Sequence, residues 1–424
     1  MAEIIDVLRE KNPWWEGDFS LDFKDRAIYA QLTRFMGTKQ ILGLTGLRRV
    51  GKTTLLMKII EDSIKAGMDP KSVMYFSFDD KKDAEVRDIL KEYEGISGKS
   101  MREGRHLLVL DEVQKLPGWE NQVKSIYDTY SGSTKVLVSG SESLFIRKKS
   151  KESLAGRMFE FKVNPLSFKE FLGFRGKAYD NILIREKELK RELNEYIRTE
   201  GFPELIDAKD ELTISKYIYE GIVEKVLYRD IPEVFDIENI DALKGILDML
   251  MYEPGQMLDY TGLARDFGIS RQSASNYISY LHDSFLLLSL YNYSNNRRKT
   301  ERKLKKYYPA ILAPTLVFKD DPLYKSRVFE WLIVKELEAE FFWRDPYKHE
   351  VDIVSEAGVP VEVKYGRIDT DNLLLFMNKF GQKRGYVLSW NGGMRKAQPK
   401  EPIEIVNVLR ALLGPNFIPR GEKS

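Results

Sequence analysis

Short apolar runs alternate with helical segments over the first third of the chain, and this pattern predicts a parallel α/β sheet. A short apolar run bounded by turn residues is typical of a buried strand, whereas apolar positions three or four residues apart predict a helix. Regular alternation of the two is the order of strands joined by crossover helices. The predicted strands are Gln40–Thr45, Val73–Phe78, His106–Leu110, Lys135–Ser139 and Met158–Val163.

The pattern changes after residue 164. Residues 165–255 contain amphipathic helices rich in Glu, Lys, Leu and Tyr, such as 184–199 and 215–227, and predict a helical lid. A winged helix-turn-helix is expected next, in which the helix Tyr260–Phe267, a turn at Gly268 and a helix capped by Ser270 follow one another. The last part returns to strands. The expected fold class is therefore α/β, with four domains at residues 1–164, 165–255, 256–296 and 297–424.

Composition excludes several classes of protein. The 424 residues are 43% hydrophobic and 12% aromatic, which is typical of a globular chain of more than one domain. The absence of cysteine and the presence of only three histidines exclude disulfides, thiolate zinc sites and histidine-rich metal sites. Because 67 basic residues face 65 acidic ones, a nucleic-acid surface would have to be a local patch. No apolar run is long enough for a membrane span and no secretory signal is recognisable, so we expect no membrane partner and a cytoplasmic location.

The strongest chemical motif is the sequence GLTGLRRVGKTTLL at residues 43–56. Gly46, four residues, and then Gly51, Lys52 and Thr53 complete the P-loop pattern, between a predicted strand and a predicted helix. In this pattern glycines allow backbone N–H groups to point at nucleotide phosphates, the lysine contacts the β- and γ-phosphates, and the threonine hydroxyl ligates Mg²⁺. The motif predicts that the chain binds a nucleotide.

A second motif follows the third predicted strand, where an apolar run ends in Asp111 and Glu112. This is the Walker B pattern, in which Asp111 would hold the Mg²⁺ shell and Glu112 would orient or deprotonate the attacking water. Downstream, Ser139 or Ser141 is a candidate sensor of the γ-phosphate, although a plain turn explains them equally well. Arg157 is a candidate arginine finger or sensor, with an ordinary surface arginine as the alternative.

Three features of the middle region have two interpretations each. Gly201-Phe202-Pro203 is either a simple turn or a contact of the lid with the nucleotide. The second helix of the helix-turn-helix is expected to bury Tyr277, Ile278 and Leu281. Its outward residues would contact DNA or only pack within the lid; these are Arg271, Gln272, Ser275 and Asn276. The basic run from Arg297 to Lys306 is either a phosphate contact or a solvated linker.

The last part carries its own acidic motif. Glu362 and Lys364 lie two residues apart on one predicted strand and therefore share a face, while Asp352 lies on the strand paired with it. Together with Glu330 from the preceding helix, Asp352 and Glu362 can bind a hard divalent ion such as Mg²⁺ or Mn²⁺, and Lys364 can position the nucleophilic water. The alternative is an ordinary hairpin with two salt bridges.

Two resemblances follow from these motifs. Residues 38–300 resemble the archaeal and bacterial AAA+-type ATPases related to the STAND class, on the sequences GLRRVGKTTLL, LLVLDEVQKLPGWE, VLVSGSESLF, SLAGRMFEFKVNPLSFKEF and GFPEL. Residues 301–395 resemble the C-terminal domain fused to those ATPases, a member of the PD-(D/E)XK nuclease superfamily that includes Holliday-junction resolvases. The superfamily's proline is absent, since Val351 precedes Asp352.

The resemblance implies a set of site residues. The nucleotide contacts would be Gly46, Arg49, Val50, Gly51, Lys52, Thr53 and Thr54, with Asp111 and Glu112 as Walker B and a lid contact near Pro203. The nuclease-like set would be Glu330, Asp352, Glu362 and Lys364.

Two functions are compatible with these motifs. The first is a Mg²⁺-dependent ATPase that binds and remodels or cleaves branched or broken DNA, with ATP hydrolysis coupled through the winged helix to the C-terminal domain. The second is a STAND-like switch that hydrolyses ATP slowly, signals to protein partners and uses its nuclease-like domain only for docking. A homo-oligomer is compatible with both.

Overall fold

The computed structural model describes residues 3–140, 153–177, 179–296, 304–319, 321–392 and 402–414. The chain forms two compact units, Met1–Pro165 and Leu166–Ser424.

The first unit is built on one five-stranded sheet in the order β2-β3-β4-β1-β5, with all strands parallel. Its strands are β1 (Ile41–Thr45), β2 (Val73–Ser77), β3 (His106–Asp111), β4 (Thr134–Gly140) and β5 (Met158–Lys162). Its helices are α1 (Ile4–Lys11), α2 (Ala27–Arg34), α3 (Lys52–Lys65), α4 (Val86–Ser97) and α5 (Trp119–Tyr130). All five predicted strands are therefore confirmed, with ends within one residue of the prediction.

The order of the strands determines which residues meet at the edge of the sheet. β4 lies between β1 and β3, so that Leu44 is paired with Ser139 and Leu110 with Val138. Every residue of β1, β2 and β3 is buried, as expected for strands covered on both faces. The carboxyl ends of β1, β3 and β4 therefore lie side by side.

The second unit combines helices with an eight-stranded sheet in the order β13-β12-β11-β10-β9-β7-β8-β6. Its first helices are α6 (Phe168–Phe174), α7 (Ile182–Thr199), α8 (Glu211–Ile218), α9 (Ile231–Val234) and α10 (Ile240–Tyr252), with π-helical segments at Tyr219–Val223 and Val226–Asp230. The later helices are α11 (Tyr260–Asp266), α12 (Arg271–Asp283), α13 (Pro314–Val317), α14 (Pro322–Glu336), α15 (Asp371–Phe380) and α16 (Val408–Leu413). The strands are β6 (Gln256–Met257), β7 (Leu287–Asn292), β8 (Lys306–Pro309), β9 (Phe341–Arg344), β10 (Glu350–Val354), β11 (Pro360–Lys364), β12 (Gly385–Ser389) and β13 (Ile403–Asn407).

The predicted helix-turn-helix forms from α11 and α12. The Ser270 hydroxyl accepts a hydrogen bond from the backbone N–H of Ser273 and so caps α12, while Tyr277, Ile278 and Leu281 are buried. After α12 the antiparallel strands β7 and β8 follow, and β8 also pairs with β6. Because β7 pairs with β9 in parallel orientation, the strands on both sides of residue 297 belong to one sheet.

The last part of the second unit has the order α14-β9-β10-β11-α15-β12. β10 is antiparallel to both β9 and β11, whereas β11 and β12 are parallel. Its core is a cluster in which Trp343, Val351 and Val387 from the sheet pack against Leu373 and Phe376 from α15. The loop from β11 to β12 is long enough for the α15 crossover that a parallel pair requires.

Within the described ranges, none of the helices has the length and apolar character that a bilayer crossing demands.

Gly201 takes up a conformation that only glycine tolerates well. Its φ is +75°, and a Cβ atom added there would lie within 3.0 Å of both the Leu166 carbonyl oxygen and the Tyr196 ring. The close approach is held by the Leu166 N–H, which donates to the Gly201 carbonyl at 2.8 Å. The turn interpretation of Gly201-Phe202-Pro203 therefore has a steric basis.

We predict that Gly201→Ala destabilises the second unit by more than the cost of a left-handed residue alone. The matched control is Gly176→Ala, because Gly176 has φ +61° and open space around it. The control should cost about 1 kcal/mol, whereas Gly201→Ala adds a steric clash of roughly 1–3 kcal/mol. Urea unfolding of both variants measures the difference; equal losses of stability would contradict the prediction.

Candidate functional site

The P-loop begins where β1 ends, and one close backbone contact determines its path. Gly46 has φ +141°, and a Cβ atom there would lie within 3.0 Å of the Val163 carbonyl oxygen. Gly51, which begins α3, has φ +95°, and Arg49 between them has φ +64°. Three left-handed residues within six positions turn the loop tightly, and a loop of this kind presents N–H groups to an anion.

Lys52 lies inside this loop. Its side chain is buried, and Nζ donates to the carbonyl oxygens of Gly46 and Leu47, both at 2.9 Å. The amine is therefore held against the loop backbone that would surround phosphates. Thr53 and Thr54, in the first turn of α3, are exposed.

Asp111, at the end of β3, connects the P-loop to the neighbouring strands. Its Oδ2 accepts from Thr53 Oγ1 at 2.7 Å and from the Tyr75 hydroxyl at 2.8 Å, and its Oδ1 accepts from the Ser139 hydroxyl. A hydroxyl and a carboxylate oxygen at this distance are the hard oxygen donors that Mg²⁺ prefers. The residues present therefore fit a magnesium ion at Thr53 and Asp111.

Glu112 is held away from regular strand geometry. It has φ +56°, and its N–H donates to Asp111 Oδ1 at 3.1 Å and to Ser139 Oγ at 3.2 Å. Its carboxylate accepts from Gln114 Nε2 at 2.5 Å. The contact with Gln114 thus engages one of the two oxygens of the Glu112 carboxylate.

Arg26 supports the P-loop and was not predicted from the sequence. Its buried guanidinium donates through Nη1 to the Val50 carbonyl at 2.9 Å and through Nη2 to the Asn164 carbonyl at 2.8 Å. One side chain thus ties the loop to the segment that follows β5. Arg26 precedes α2 in a stretch without a motif, so no local signal distinguished it from other arginines.

Arg157 lies at the amino-terminal end of the strands, whereas the P-loop lies at their carboxyl-terminal end. Its carbonyl accepts from the Ile41 N–H, at the start of β1, whereas the loop begins after Thr45. Five strand residues separate these ends by roughly 13–17 Å. The guanidinium is engaged by Asp128, with Nε to Oδ1 at 2.9 Å. An arginine-finger role would therefore have to act on the site of a second copy of the chain.

Other predicted residues fall outside this site. Pro203 begins a short 3₁₀-helix, Pro203–Leu205, within the second unit, and its contact with a nucleotide stays a prediction. Ser141 and most of the basic run, residues 297–303, lie outside the described residues. On α12, Arg271 and Gln272 are exposed, whereas Ser275 and Asn276 are only half-exposed.

The basic run was wrongly interpreted at Lys306. Instead of reaching solvent or phosphate, its side chain is buried, and Nζ contacts Glu330 Oε1 at 2.7 Å and Glu350 Oε1 at 2.8 Å. The Tyr308 hydroxyl, on the same face of β8, donates to Glu330 Oε1 at 2.5 Å. Arg344 pairs with the other oxygen of Glu350 at 2.9 Å. The strand alternation of Lys306 and Tyr308 was the signal that would have placed them together.

Asp352, Glu362 and Lys364 do come together. Lys364 Nζ contacts Glu362 Oε2 and lies 3.6 Å from Asp352 Oδ2, which also accepts from the Val363 N–H at 2.8 Å. Atom Oε1 of Glu362 is buried and has no hydrogen-bond partner in the described part of the chain. An unsatisfied carboxylate oxygen beside a second carboxylate suits a cation.

The predicted three-carboxylate metal set is not assembled in this arrangement. Glu330 is engaged by Lys306 and Tyr308. Among the residues that the structure describes, no group of three or more acidic or histidine side chains is placed to hold a metal ion. A metal ion bound by Glu330, Asp352 and Glu362 stays a prediction.

Burial and the nearby Asp352 carboxylate raise the pKa of Glu362 to about 9, against the opposing effect of the Lys364 ammonium. For Lys364 the two carboxylates outweigh burial and raise its pKa above the usual 10.5. The group is therefore an acid pair that holds a proton at neutral pH beside a charged lysine. A metal ion would have to displace that proton.

Comparison with known proteins identifies the first unit. Residues 38–172 match the family described as an AAA domain, and residues 190–310 match a domain of unknown function, DUF8612. The chain therefore contains an AAA-type P-loop domain.

Two uncharacterized proteins of Methanocaldococcus jannaschii are similar to the chain. MJ1637 is 26% identical over 376 residues, which are 83% of this chain and 70% of that protein. MJ1544 is 30% identical over 307 residues, which are 70% of this chain and 66% of that protein.

Solved structures show weaker likeness. The replication initiator DnaA bound to AMPPCP and single-stranded DNA is 16% identical with a TM-score of 0.33, covering 65% of this chain and 92% of that one. A STAND protein with a tetratricopeptide repeat sensor from Pyrococcus horikoshii is 13% identical with a TM-score of 0.28, covering 77% of this chain and 47% of that one. Similarity at this level carries no conclusion about function.

We predict that Arg26→Gln weakens nucleotide binding about tenfold, since two charge-assisted hydrogen bonds position the loop before the ligand arrives. Arg34→Gln, an exposed arginine on α2, is the control. Titration with a non-hydrolysable ATP analogue measures both affinities. Equal affinities for the two variants would mean that Arg26 does not position the loop.

We predict that Glu362 makes stability depend on pH. Because its folded-state pKa of about 9 exceeds the unfolded value of 4.5, the folded chain binds an extra proton between these values. The stabilisation is fully present below the unfolded pKa and is lost as pH rises through about 9. Glu362→Gln should therefore lose less stability than the wild type between about pH 5 and the folded pKa. Unfolding midpoints across this range test it, with exposed Glu356→Gln as control; parallel curves for all three proteins would contradict it.

Proposed function

We propose that the chain is a Mg²⁺-dependent ATPase that acts on DNA, with branched or broken DNA as the substrate class. The hydrolytic half rests on one observation, the contact of Thr53 Oγ1 with Asp111 Oδ2 at 2.7 Å. It brings the P-loop hydroxyl and the Walker B carboxylate to a single point beside Lys52, which is the arrangement that nucleotide hydrolysis needs.

Each residue has a distinct task in this proposal. Mg²⁺, when bound at Thr53 and Asp111, would neutralise charge on the phosphates. Lys52 would leave the carbonyls of Gly46 and Leu47 and contact the β- and γ-phosphates as a point charge. Glu112 would leave Gln114 and orient the attacking water. Ser139, hydrogen-bonded to Asp111, would report whether the γ-phosphate is present.

The DNA half rests on two features of the second unit. The helix-turn-helix is followed by the antiparallel strands β7 and β8, the order of a winged helix, and Arg271 and Gln272 are exposed at the N-terminal end of α12. The order α14-β9-β10-β11-α15-β12 with Asp352, Glu362 and Lys364 clustered on β10 and β11 supports a restriction-endonuclease-like domain. Lys364 would then position a water for attack on a phosphodiester.

A second function is favoured by one observation. Glu330 is satisfied by Lys306 and Tyr308, while Lys364 contacts Glu362, which holds a proton at neutral pH, and pairs with Asp352 at 3.6 Å. A cluster whose charges are already paired can serve as a structural element of a docking domain. In that case the chain is an ATP-dependent switch that signals to protein partners and does not cut DNA.

We predict that Lys52→Ala lowers ATP turnover by roughly two orders of magnitude or more, since it removes the charge that stabilises the transferring phosphate. ATP hydrolysis by the wild type should increase when four-way-junction or forked DNA is added, and the increase should fade along a salt series. Asp352→Ala should retain ATP hydrolysis but lose any Mg²⁺- or Mn²⁺-dependent cleavage.

The outcomes separate the proposals. Wild-type turnover in Lys52→Ala would refute the hydrolytic mechanism. Hydrolysis that DNA neither stimulates nor binds in a salt-dependent way would favour the switch. Cleavage that persists in Asp352→Ala would show that β10 does not carry the cutting site.

A further inference from the structure

A cavity of about 380 Å³ lies within the second unit, outside both sites described above. It is lined by residues of α7, α8, α13 and α14 and by residues that directly follow α13, β11 and β12. The side chains that matter are Arg198, Phe318, Lys319, Lys325, Tyr365 and Trp390. Its size is at the lower end of the range for pockets that hold small organic ligands.

One wall of the cavity is aromatic. Tyr365 and Trp390 lie with ring centroids 5.5 Å apart and planes inclined by 36°. Phe329 also lines the cavity and packs in a T-shaped arrangement against Trp390, with ring centroids 5.4 Å apart. Tyr365 is half-buried, so part of its surface remains accessible to a ligand. Flat aromatic surfaces held in this way are platforms on which nucleobases stack.

The rim of the cavity is positively charged. It carries three basic side chains, Arg198, Lys319 and Lys325, and one carboxylate, Glu211, which pairs with Arg198 at 2.6 Å. Arg198 also lies over the Phe318 ring, with the guanidinium carbon 5.1 Å from the centroid. Lys319 is exposed and its Nζ lies 4.1 Å from the Tyr324 ring centroid. The excess of positive charge favours an anion next to the aromatic wall.

The cavity is adjacent in sequence to the acidic cluster at two points. Tyr365 directly follows Lys364, and Phe329 directly precedes Glu330.

We infer that this cavity binds one nucleotide of a single-stranded DNA segment. The base stacks on Tyr365, and the adjoining phosphates contact Lys319 and Lys325. Stacking of a base on an aromatic ring gives affinity without sequence preference. The inference rests on the proposed action on DNA and specifies the form of DNA recognised, a strand that is unpaired at this point.

The test measures binding of the full chain to a labelled oligothymidylate and to a duplex of the same length. Lys319→Gln/Lys325→Gln should weaken oligothymidylate binding about tenfold. It should also flatten the dependence of log affinity on log salt by about 1.4, because two phosphate contacts of a single strand are lost. The charge-matched control is Lys383→Gln/Arg384→Gln, which removes two exposed charges before β12, at the end of that strand opposite Trp390.

A second pair of variants tests stacking. Tyr365→Leu should weaken oligothymidylate binding roughly 5- to 150-fold, the effect of losing one base–aromatic stack. Tyr365→Phe keeps the ring and should bind within about twofold of the wild type. Circular dichroism and unfolding midpoints confirm that each variant is folded.

Each outcome supports or contradicts the binding of single-stranded DNA in this cavity. If the wild type binds DNA but the cavity variants bind like the control, the cavity is not the site, while the proposed action on DNA stands. If the wild type binds no DNA at any salt concentration, both fall, and ATP hydrolysis is judged by Lys52→Ala alone. If free thymidine monophosphate binds as tightly as the oligonucleotide and depends equally on Tyr365, the occupant is a free nucleotide and the strand assignment is wrong.

Discussion

The nucleotide site depends on a backbone contact that leaves no room for a side chain. Gly46 approaches the Val163 carbonyl so closely that the P-loop can leave β1 only along one path. Arg26 fixes the same two segments a second time, at Val50 and Asn164. Because the loop is held on both sides, its N–H groups need little rearrangement when phosphates arrive, and pre-organisation of this kind lowers the cost of binding.

The insertion of β4 between β1 and β3 has a second consequence. It brings Ser139 to Asp111, whose other oxygen contacts Thr53 and Tyr75. Three strands and one helix thus converge on a single carboxylate. A change at any of these hydroxyls alters the hydrogen bonds of Asp111, and through its Oδ1 also those of the Glu112 backbone. The Asp111 carboxylate therefore links the hydrogen bonds of α3, β2 and β4.

Sequence reasoning succeeded where the signal was local. The strands of the first unit and the N-cap of α12 follow from short-range pattern, and the P-loop motif includes the glycines whose conformations the structure requires. It failed where long-range contacts decide. No sequence feature near Arg26 indicates that its side chain has two carbonyl partners far along the chain. Lys306 looks in the sequence like part of a solvated basic run, and only the pairing of β8 with β6 and β7 places it elsewhere. Because Lys306 is buried in the structure, its side chain cannot serve as a solvated linker residue or a phosphate contact.

Stability alone does not explain the acidic cluster of Asp352, Glu362 and Lys364 in the second unit. Buried charges lose hydration that their partners only partly replace, and apolar residues of similar volume are often equally stabilising. Among the described residues Glu362 Oε1 has no hydrogen-bond partner, and burial together with the nearby Asp352 carboxylate raises the pKa of that carboxyl. A carboxyl whose pKa is shifted in this way is common in functional sites and also occurs in structural ion-pair networks. The cluster is therefore compatible both with a metal-dependent site and with a structural element of a docking domain.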